Sequence, residues 1–290
     1  MIIAIDGYEA NEKERVGIGR YAFEIIKYMY FIRSHLASSQ GVTFQIYLPS
    51  DPLHDMPEET DWWQYRVLQP KKFWTLFRLP LALATDYPAA DVVFSPTHYV
   101  PRYIRIPRVM SIMDVSYLHY PELFRRGDLY QLTHWTAYSV SHAARILTIS
   151  EFSKNAIIKA YGVAPEKVVV TYPGLSMESK VESLKSKVID KYKISKNYIL
   201  SVGTVQPRKN YVRLIEAFAQ LKPEFPHKLA LIGAETAAVP KVRLEALAKS
   251  HEVDRDVVFL GQIPDDQLAM FYRHAAVMVM PSLDETFGFP

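Results

Sequence analysis

The stretch YILSVGTVQPRKNYVRLIEAFAQL, Tyr198 to Leu221, changes its apolar period once, and that change decides the fold class. Tyr198 to Val202 is a short apolar run ending at Gly203, the pattern of a buried strand. After a polar loop, from Lys209 onward, Leu214, Ile215, Phe218 and Leu221 recur at helical spacing, so a helix with one apolar face follows. Strand, loop and helix in this order form the repeating unit of a parallel α/β sheet.

Working outward, the same alternation continues in both directions. Downstream, strands are expected at Lys228–Ile232, Val257–Leu260 and Val277–Met280, with helices at Lys209–Leu221, Val242–Ser250 and Asp266–Ala275. Upstream, strands are expected at Ile2–Ile5, Phe44–Leu48, Val92–Phe94, Val109–Ile112, Ile146–Ile149 and Val168–Thr171. Helices are expected at Tyr21–Ile32, Leu123–Ala144 and Phe152–Ala160. A charged stretch with little apolar periodicity, Glu178 to Lys196, separates the two series and reads as a linker or a connecting helix. The organisation expected is therefore a first α/β domain over 1–177, a linker over 178–196 and a second α/β domain over 197–290. The second series ends on a strand with no helix to cover it, so that domain reads as incomplete.

Composition narrows the class. With 290 residues the chain has room for two cores, since one core seldom exceeds about 250 to 300 residues. Hydrophobic residues at 49% against 22% charged give a globular balance, not a disordered one. The absence of cysteine excludes a disulfide framework, a thiolate nucleophile and Cys-ligated zinc. No apolar run approaches the roughly 18 to 20 residues of a membrane span, and the start MIIAIDG has too short an apolar run for an export signal, so a cytoplasmic protein is expected. A net charge of +3 is too mild to argue for nucleic acid. Basic residues do cluster in QPKKFWTLFRLP and PRYIRIPR. The first of these is expected to form a helix burying Phe73, Trp74, Phe77 and Leu81; the alternative rests Lys71, Lys72, Phe73, Trp74, Phe77 and Arg78 on an anionic membrane surface, at its inner face.

Candidate chemistry gathers in four places. Arg208, Lys209 and Asn210 stand where a helix starts; free amides there and two cations suit a phosphate or diphosphate, while solvated charges opposing the dipole are the competing reading. In ERVGIGRYAFEII, Gly17 and Gly19 permit close backbone approach at the carboxyl edge of the sheet, yet the loop lacks the Gly-x-Gly-x-x-Gly spacing of a dinucleotide site. Asp114 ends a strand, where it either points into a cleft or caps the following turn. Ser150 and Ser153 are explained by helix capping. The nine histidines form no i, i+4 pair on an expected helix, so no metal site is expected.

Taken in order, GIGRY, MDVSYLHYPELF, ILTISEFSKNAIIKAYGV, VVVTYPGLS, ILSVGTVQPRKNYVRLIEAFAQL, VVFLGQIPDDQLAMFYRHA and VMVMPSLDETFGFP resemble the retaining GT-B glycosyltransferases of the group 1 type. That resemblance implies two Rossmann-like domains facing across a cleft, with a nucleotide-diphosphate sugar held mostly by the second and the acceptor, a glycan or a lipid-linked glycan, by the first. It implies that Lys209 and Arg208 hold the diphosphate, that Glu285 lies near the transferred sugar, and that no cofactor and no metal are needed. By the same resemblance Gly17, Gly19, Arg20, Gly203 and Thr204 lie near the donor phosphates, Gly261, Gln262 and Ile263 near the base, and Thr286, Phe287 and Gly288 near the sugar. The family's second glutamate, eight residues after Glu285, falls beyond Pro290. Two departures are visible: Met113 stands where many relatives have His before the aspartate, and Thr204 where many have Arg. The function expected is retaining hexosyl transfer, with mannose favoured. A non-catalytic nucleotide- or sugar-binding protein is the main alternative, and a GT-B epimerase a second.

Overall fold

The computed structural model describes residues 1–15, 17–36, 40–174, 192, 194, 198–236 and 239–288, with Asp265 and Asp266 described by their backbone alone. The chain divides into two compact units, Met1–Pro173 and Gly174–Pro290. Apart from Tyr192 and Ile194, the expected linker at 178–196 lies outside the described residues.

The first unit is built on seven strands: β1 (Ile2–Asp6), β2 (Thr43–Leu48), β3 (Trp63–Val67), β4 (Val92–Ser95), β5 (Arg108–Ser111), β6 (Arg145–Thr148) and β7 (Val168–Val170). They form one sheet in the order β3-β2-β1-β4-β5-β6-β7, and every adjacent pair is parallel. Order reverses between β1 and β4, which makes the carboxyl ends of these two strands the switch point of a doubly wound sheet. The helices are α1 (Ile18–His35), α2 (Leu79–Thr85), α3 (Ser116–His119), α4 (Arg126–His142) and α5 (Glu151–Tyr161). Ser150 caps α5, its hydroxyl accepting from the Ser153 amide at 3.0 Å, and Gly162 ends that helix at φ +63°.

The second unit repeats the design on four strands: β8 (Tyr198–Val202), β9 (Lys228–Ile232), β10 (Val257–Gly261) and β11 (Val277–Met278), in the parallel order β10-β9-β8-β11. Its helices are α6 (Tyr211–Leu221), α7 (Lys241–Ser250) and α8 (Asp265–His274). Both faces of the sheet are buried, and side chains divide by the two-residue period of a strand. Ile199, Leu229 and Leu231 pack with Leu214, Ile215 and Phe218 of α6, whereas Tyr198, Leu200, Ala230 and Ile232 pack with Phe271 of α8. Phe271 is fully buried, so truncating it to alanine costs about 3 to 5 kcal/mol.

Three sequence expectations need correction. The helix expected from Lys209 starts at Tyr211; Pro207–Lys209 is a 3-10 turn, and Asn210, left-handed at φ +57°, separates the two. The helix expected at 123–144 spans Arg126–His142, and Leu123 belongs instead to a separate 3-10 turn at Pro121–Leu123. The segment at 71–83 is not a helix that buries its aromatics. A π-helical turn, Trp74–Arg78, leads into α2; Trp74 is buried, but Phe73, Phe77 and Leu81 are 67, 63 and 57% exposed. The inward positions are filled instead by Trp74, Leu79, Ala82 and Leu83, which pack on Ala4, Tyr47 and Val93. Strand β3, not anticipated, pairs with β2 along five residues and buries Trp63.

Candidate active site

The second unit's switch point lies between β8 and β11, and the loops that leave these two strands come together. Leu283 donates its amide to the Arg208 carbonyl at 2.9 Å, and Asn210 donates Nδ2 to the Pro281 carbonyl at 3.1 Å. Asn210 is left-handed at φ +57°, a conformation that Asn tolerates better than most residues, and its side chain makes no capping bond to α6. Arg208 adds a bond from Nη1 to the Asp284 carbonyl.

These backbone links bring the charged groups into register. Lys209 Nζ donates to Glu285 Oε1, and Arg208 Nη1 lies 3.4 Å from Glu285 Oε2. Lys209 is only 8% exposed, so its charge is held in place. Burial pushes the Glu285 carboxyl up, but the Lys209 hydrogen bond and the fields of Lys209 and Arg208 outweigh it and hold the group below the usual glutamate value. Two cations against one carboxylate leave the cluster net positive, which suits an incoming anion.

The floor beside this cluster is made of backbone. Gly203 at φ +150° and Gly233 at φ +157° follow β8 and β9, and a Cβ built on Gly233 would lie 1.9 Å from the Gly203 carbonyl oxygen. A Cβ on Gly203 would meet Lys209 Cε at 3.1 Å. Tyr211, buried with its phenol pushed up to about 12 by desolvation, donates to the Gly203 carbonyl at 2.8 Å and fixes the loop against α6. Gly233 and Tyr211 were not among the sequence candidates. A glycine directly after a strand, as in LALIGAE, is the signal for the first; nothing local marks the second.

The other candidates fall as follows. Thr204 is exposed on the same loop. Gly261 ends β10 at φ +67° and its carbonyl accepts from Gly233 N at 2.9 Å; Gln262 is exposed, but Ile263 is buried in the core with Phe271, so its side chain faces away from any ligand there. Gly288, at φ +81°, packs close to Met280 Cε, with Thr286 and Phe287 just before it.

In the first unit Gly17, at φ +51°, precedes α1, and Gly19 in its first turn is close-packed, a Cβ there lying 3.1 Å from the Glu9 carbonyl oxygen. Arg20 pairs with Glu24 at 2.9 Å. A cavity of about 530 Å³ opens beside this turn, lined by Glu9, Asn11, Glu12, Arg15, Gly19 and Lys71. Asp114 accepts from both the amide and the hydroxyl of Ser116, at 3.0 and 2.8 Å, so its carboxylate is engaged in the turn that leads into α3, whose N-cap residue is Val115. One further carboxylate stands out: Asp6, at the end of β1, is buried and accepts from Trp74 Nε1 at 2.8 Å and from the Tyr8 amide at 3.2 Å. Desolvation raises its pKa to about 6 in spite of these bonds. Among the described residues no group of three or more His, Asp and Glu side chains is placed to hold a metal ion.

Two parallel sheets, each with a switch point, are the architecture expected of a GT-B enzyme, and sequence comparison identifies the family. Residues 17–179 match the family model described as Glycosyltransferase Family 4, and residues 182–290 match that of Glycosyl transferases group 1. The chain belongs to this glycosyltransferase family. Among curated relatives, the glycosyltransferase is 28% identical to the O-antigen chain mannosyltransferase B of Escherichia coli over 94% of its own length and 74% of that protein. It is likewise 28% identical to the O-antigen chain mannosyltransferase RfbU of Salmonella typhimurium, spanning 67% of its own length and 50% of the relative's. Solved structures agree in fold: WaaG, a glycosyltransferase involved in lipopolysaccharide biosynthesis, matches 99% of the chain with a TM-score of 0.61 at 17% identity, the match covering 76% of WaaG. Anabaena HepE in complex with UDP and glucose matches 99% with a TM-score of 0.66 at 18% identity, also covering 76% of that chain. The glycosyltransferase is thus an enzyme of GT-B fold, and among its described residues no helix is long and apolar enough to cross a membrane.

Proposed function

We propose that the protein transfers a hexose from a nucleotide-diphosphate sugar to a hydroxyl of a glycan or lipid-linked glycan acceptor, with retention of anomeric configuration, on the cytoplasmic side of a membrane. The mannosyltransferase relatives favour mannose as the sugar. The observation that carries the reading is the buried Lys209, held with Arg208 at the mouth of a bare backbone loop at the switch point.

In this reading the donor diphosphate sits over Gly203 and Thr204, against Lys209 and Arg208. As the bond from the anomeric carbon to the leaving phosphate oxygen lengthens, negative charge grows on that oxygen. Fixed cations with little solvent around them stabilise that charge more than they stabilise the ground state. The acceptor hydroxyl attacks from the face the diphosphate leaves, its proton passing to the departing phosphate oxygen, so configuration is retained without a covalent enzyme intermediate. Glu285 holds Lys209 in place and lies where a sugar hydroxyl can replace one of its cation contacts. The reading invokes no metal, because Lys209 and Arg208 meet the leaving-group charge.

The test is transfer and donor hydrolysis by the protein across a panel of nucleotide sugars including GDP-mannose and UDP-glucose. Turnover of one donor that is lost in Lys209→Ala supports the reading. Turnover unchanged in that variant, or no nucleotide-sugar binding by the parent protein, overturns it.

A further inference from the structure

The carboxyl edge of the first sheet holds an imidazole that the proposed transfer reaction does not use. β4 and β5 are parallel neighbours, with Ser95 opposite Met110, so the chain leaves both over the same edge. His98 follows the end of β4 by three residues, and Asp114 follows the end of β5 by three. Ligands of open α/β sheets bind outside these strand ends. Both segments are fixed from behind: the Val100 amide donates to Ser139 Oγ of α4 at 3.1 Å, and Ser153 Oγ, in the first turn of α5, donates to the Met113 carbonyl at 2.8 Å. The His98 ring lies 6.3 Å from that of Tyr117, which is itself buried.

Two polar groups here are incomplete. His98 is half-buried, and its Nε2 is enclosed with no hydrogen-bond partner among the described residues. Burial pushes the imidazole below the usual histidine value although the Asp114 charge pulls it the other way, so near pH 7 the ring is neutral, with one N–H and one lone pair. Asp114 is half-satisfied: Oδ1 accepts from the Ser116 amide and hydroxyl, while Oδ2 accepts from nothing among the described residues. An enclosed polar atom without a partner is uncommon and calls for a group that completes it. A half-turn of the planar ring about its Cβ–Cγ bond exchanges nitrogen for carbon on each edge, so a ring nitrogen can meet a ligand with no movement of the backbone.

We propose that His98 and Asp114 together bind one hydroxyl of the substrate sugar, the hydroxyl accepting from the imidazole N–H and donating to Asp114 Oδ2. A hydroxyl donates and accepts through the same oxygen, which is what this pair requires. A phosphate would meet the Asp114 charge, and an apolar group would leave both atoms unpaired. The inference deepens the glycosyl-transfer reading and rests on it. It makes His98 a specificity-determining residue, one that favours sugars carrying that hydroxyl over sugars that lack it.

The experiment measures kcat/KM for the accepted nucleotide sugar and its monodeoxy forms in donor hydrolysis, and for monodeoxy acceptors in transfer. One deoxy form should be disfavoured by the parent protein about ten- to a hundredfold, the range for a hydrogen bond to a charged group. In His98→Ala that ratio should shrink toward one while the ratios at the other hydroxyl positions hold. His98→Gln, which keeps a donor, should restore part of it. Asp114→Asn turns a donor where Oδ2 accepted and should shrink the same ratio. A collapse seen with deoxy donors assigns the hydroxyl to the transferred sugar; a collapse seen only with deoxy acceptors assigns it to the acceptor. If His98→Ala slows every substrate by one common factor, or slows none, the inference is overturned and the transfer reaction stands. If the parent protein turns over no nucleotide sugar, the reaction itself falls and takes the inference with it.

Discussion

Lys209 and Glu285 stand 76 residues apart in the chain and touch through ammonium and carboxylate. The contact exists because β8 and β11 are neighbours in the sheet and each sends its following loop over the same edge.

Removing the ammonium tests that contact from the chemical side. Lys209→Ala should lower kcat/KM for sugar transfer by about 10² to 10³, the usual loss when one fixed donor to developing charge is deleted. Lys209→Arg should recover part of the rate. Steady-state kinetics with the accepted donor checks both.

Removing the carboxylate tests it from the folding side. Glu285→Gln should destabilise the protein by about 1 to 2 kcal/mol at neutral pH, between the values for exposed and buried pairs. The sign with pH follows from the depressed carboxyl. The contribution is present above the ordinary glutamate value of 4.5 and is lost as pH falls through the lower folded value. Urea midpoints of parent and variant should therefore differ at pH 7 and converge in acid.

Asp6 has the opposite sign. Its pKa is raised from 3.8 to about 6, so the folded chain binds more protons than the unfolded one in that window, and stability falls as pH rises through it. The loss is on the order of 3 kcal/mol. Asp6→Asn keeps an acceptor for the Trp74 indole and removes the titration. Its stability relative to the parent should rise between about pH 4 and pH 7, as read from urea unfolding at each pH.

Two glycine substitutions should differ in cost for a visible reason. Gly233→Ala forces a Cβ against the Gly203 carbonyl and should cost several kcal/mol or prevent folding. Gly17→Ala meets nothing within 4 Å and pays only for its positive φ, about 1 to 2 kcal/mol. Chemical denaturation of the two variants separates steric overlap from backbone preference.

Much of this was legible in the sequence. Strands such as Tyr198–Val202 and Lys228–Ile232 are buried on both faces, so their apolar runs survive as a pattern, and the structure places them at the same residues. The proximity of Lys209 to Glu285 followed only through family resemblance, since a contact made by sheet order leaves no local trace. Asn210 was read as part of a helix start because a left-handed residue between two helical turns interrupts the backbone without interrupting the apolar spacing. The 71–83 segment was misread for a related reason. Its apolar residues suit a buried helix by composition, but a π-helical turn shifts the register and sends Phe73, Phe77 and Leu81 outward. Strand β3 was missed because WQYRV alternates polar with aromatic residues at the sheet edge, where only Trp63 is fully enclosed.

The Gly203–Gly233 contact also governs how the protein can be altered. Where two peptide planes meet with no side chain between them, substitution has nothing to vary, and any group large enough to change the local chemistry breaks the packing first. In the proposed reaction, a change of donor preference is therefore to be sought at the exposed Thr204 and Gln262, while the peptide floor stays constant.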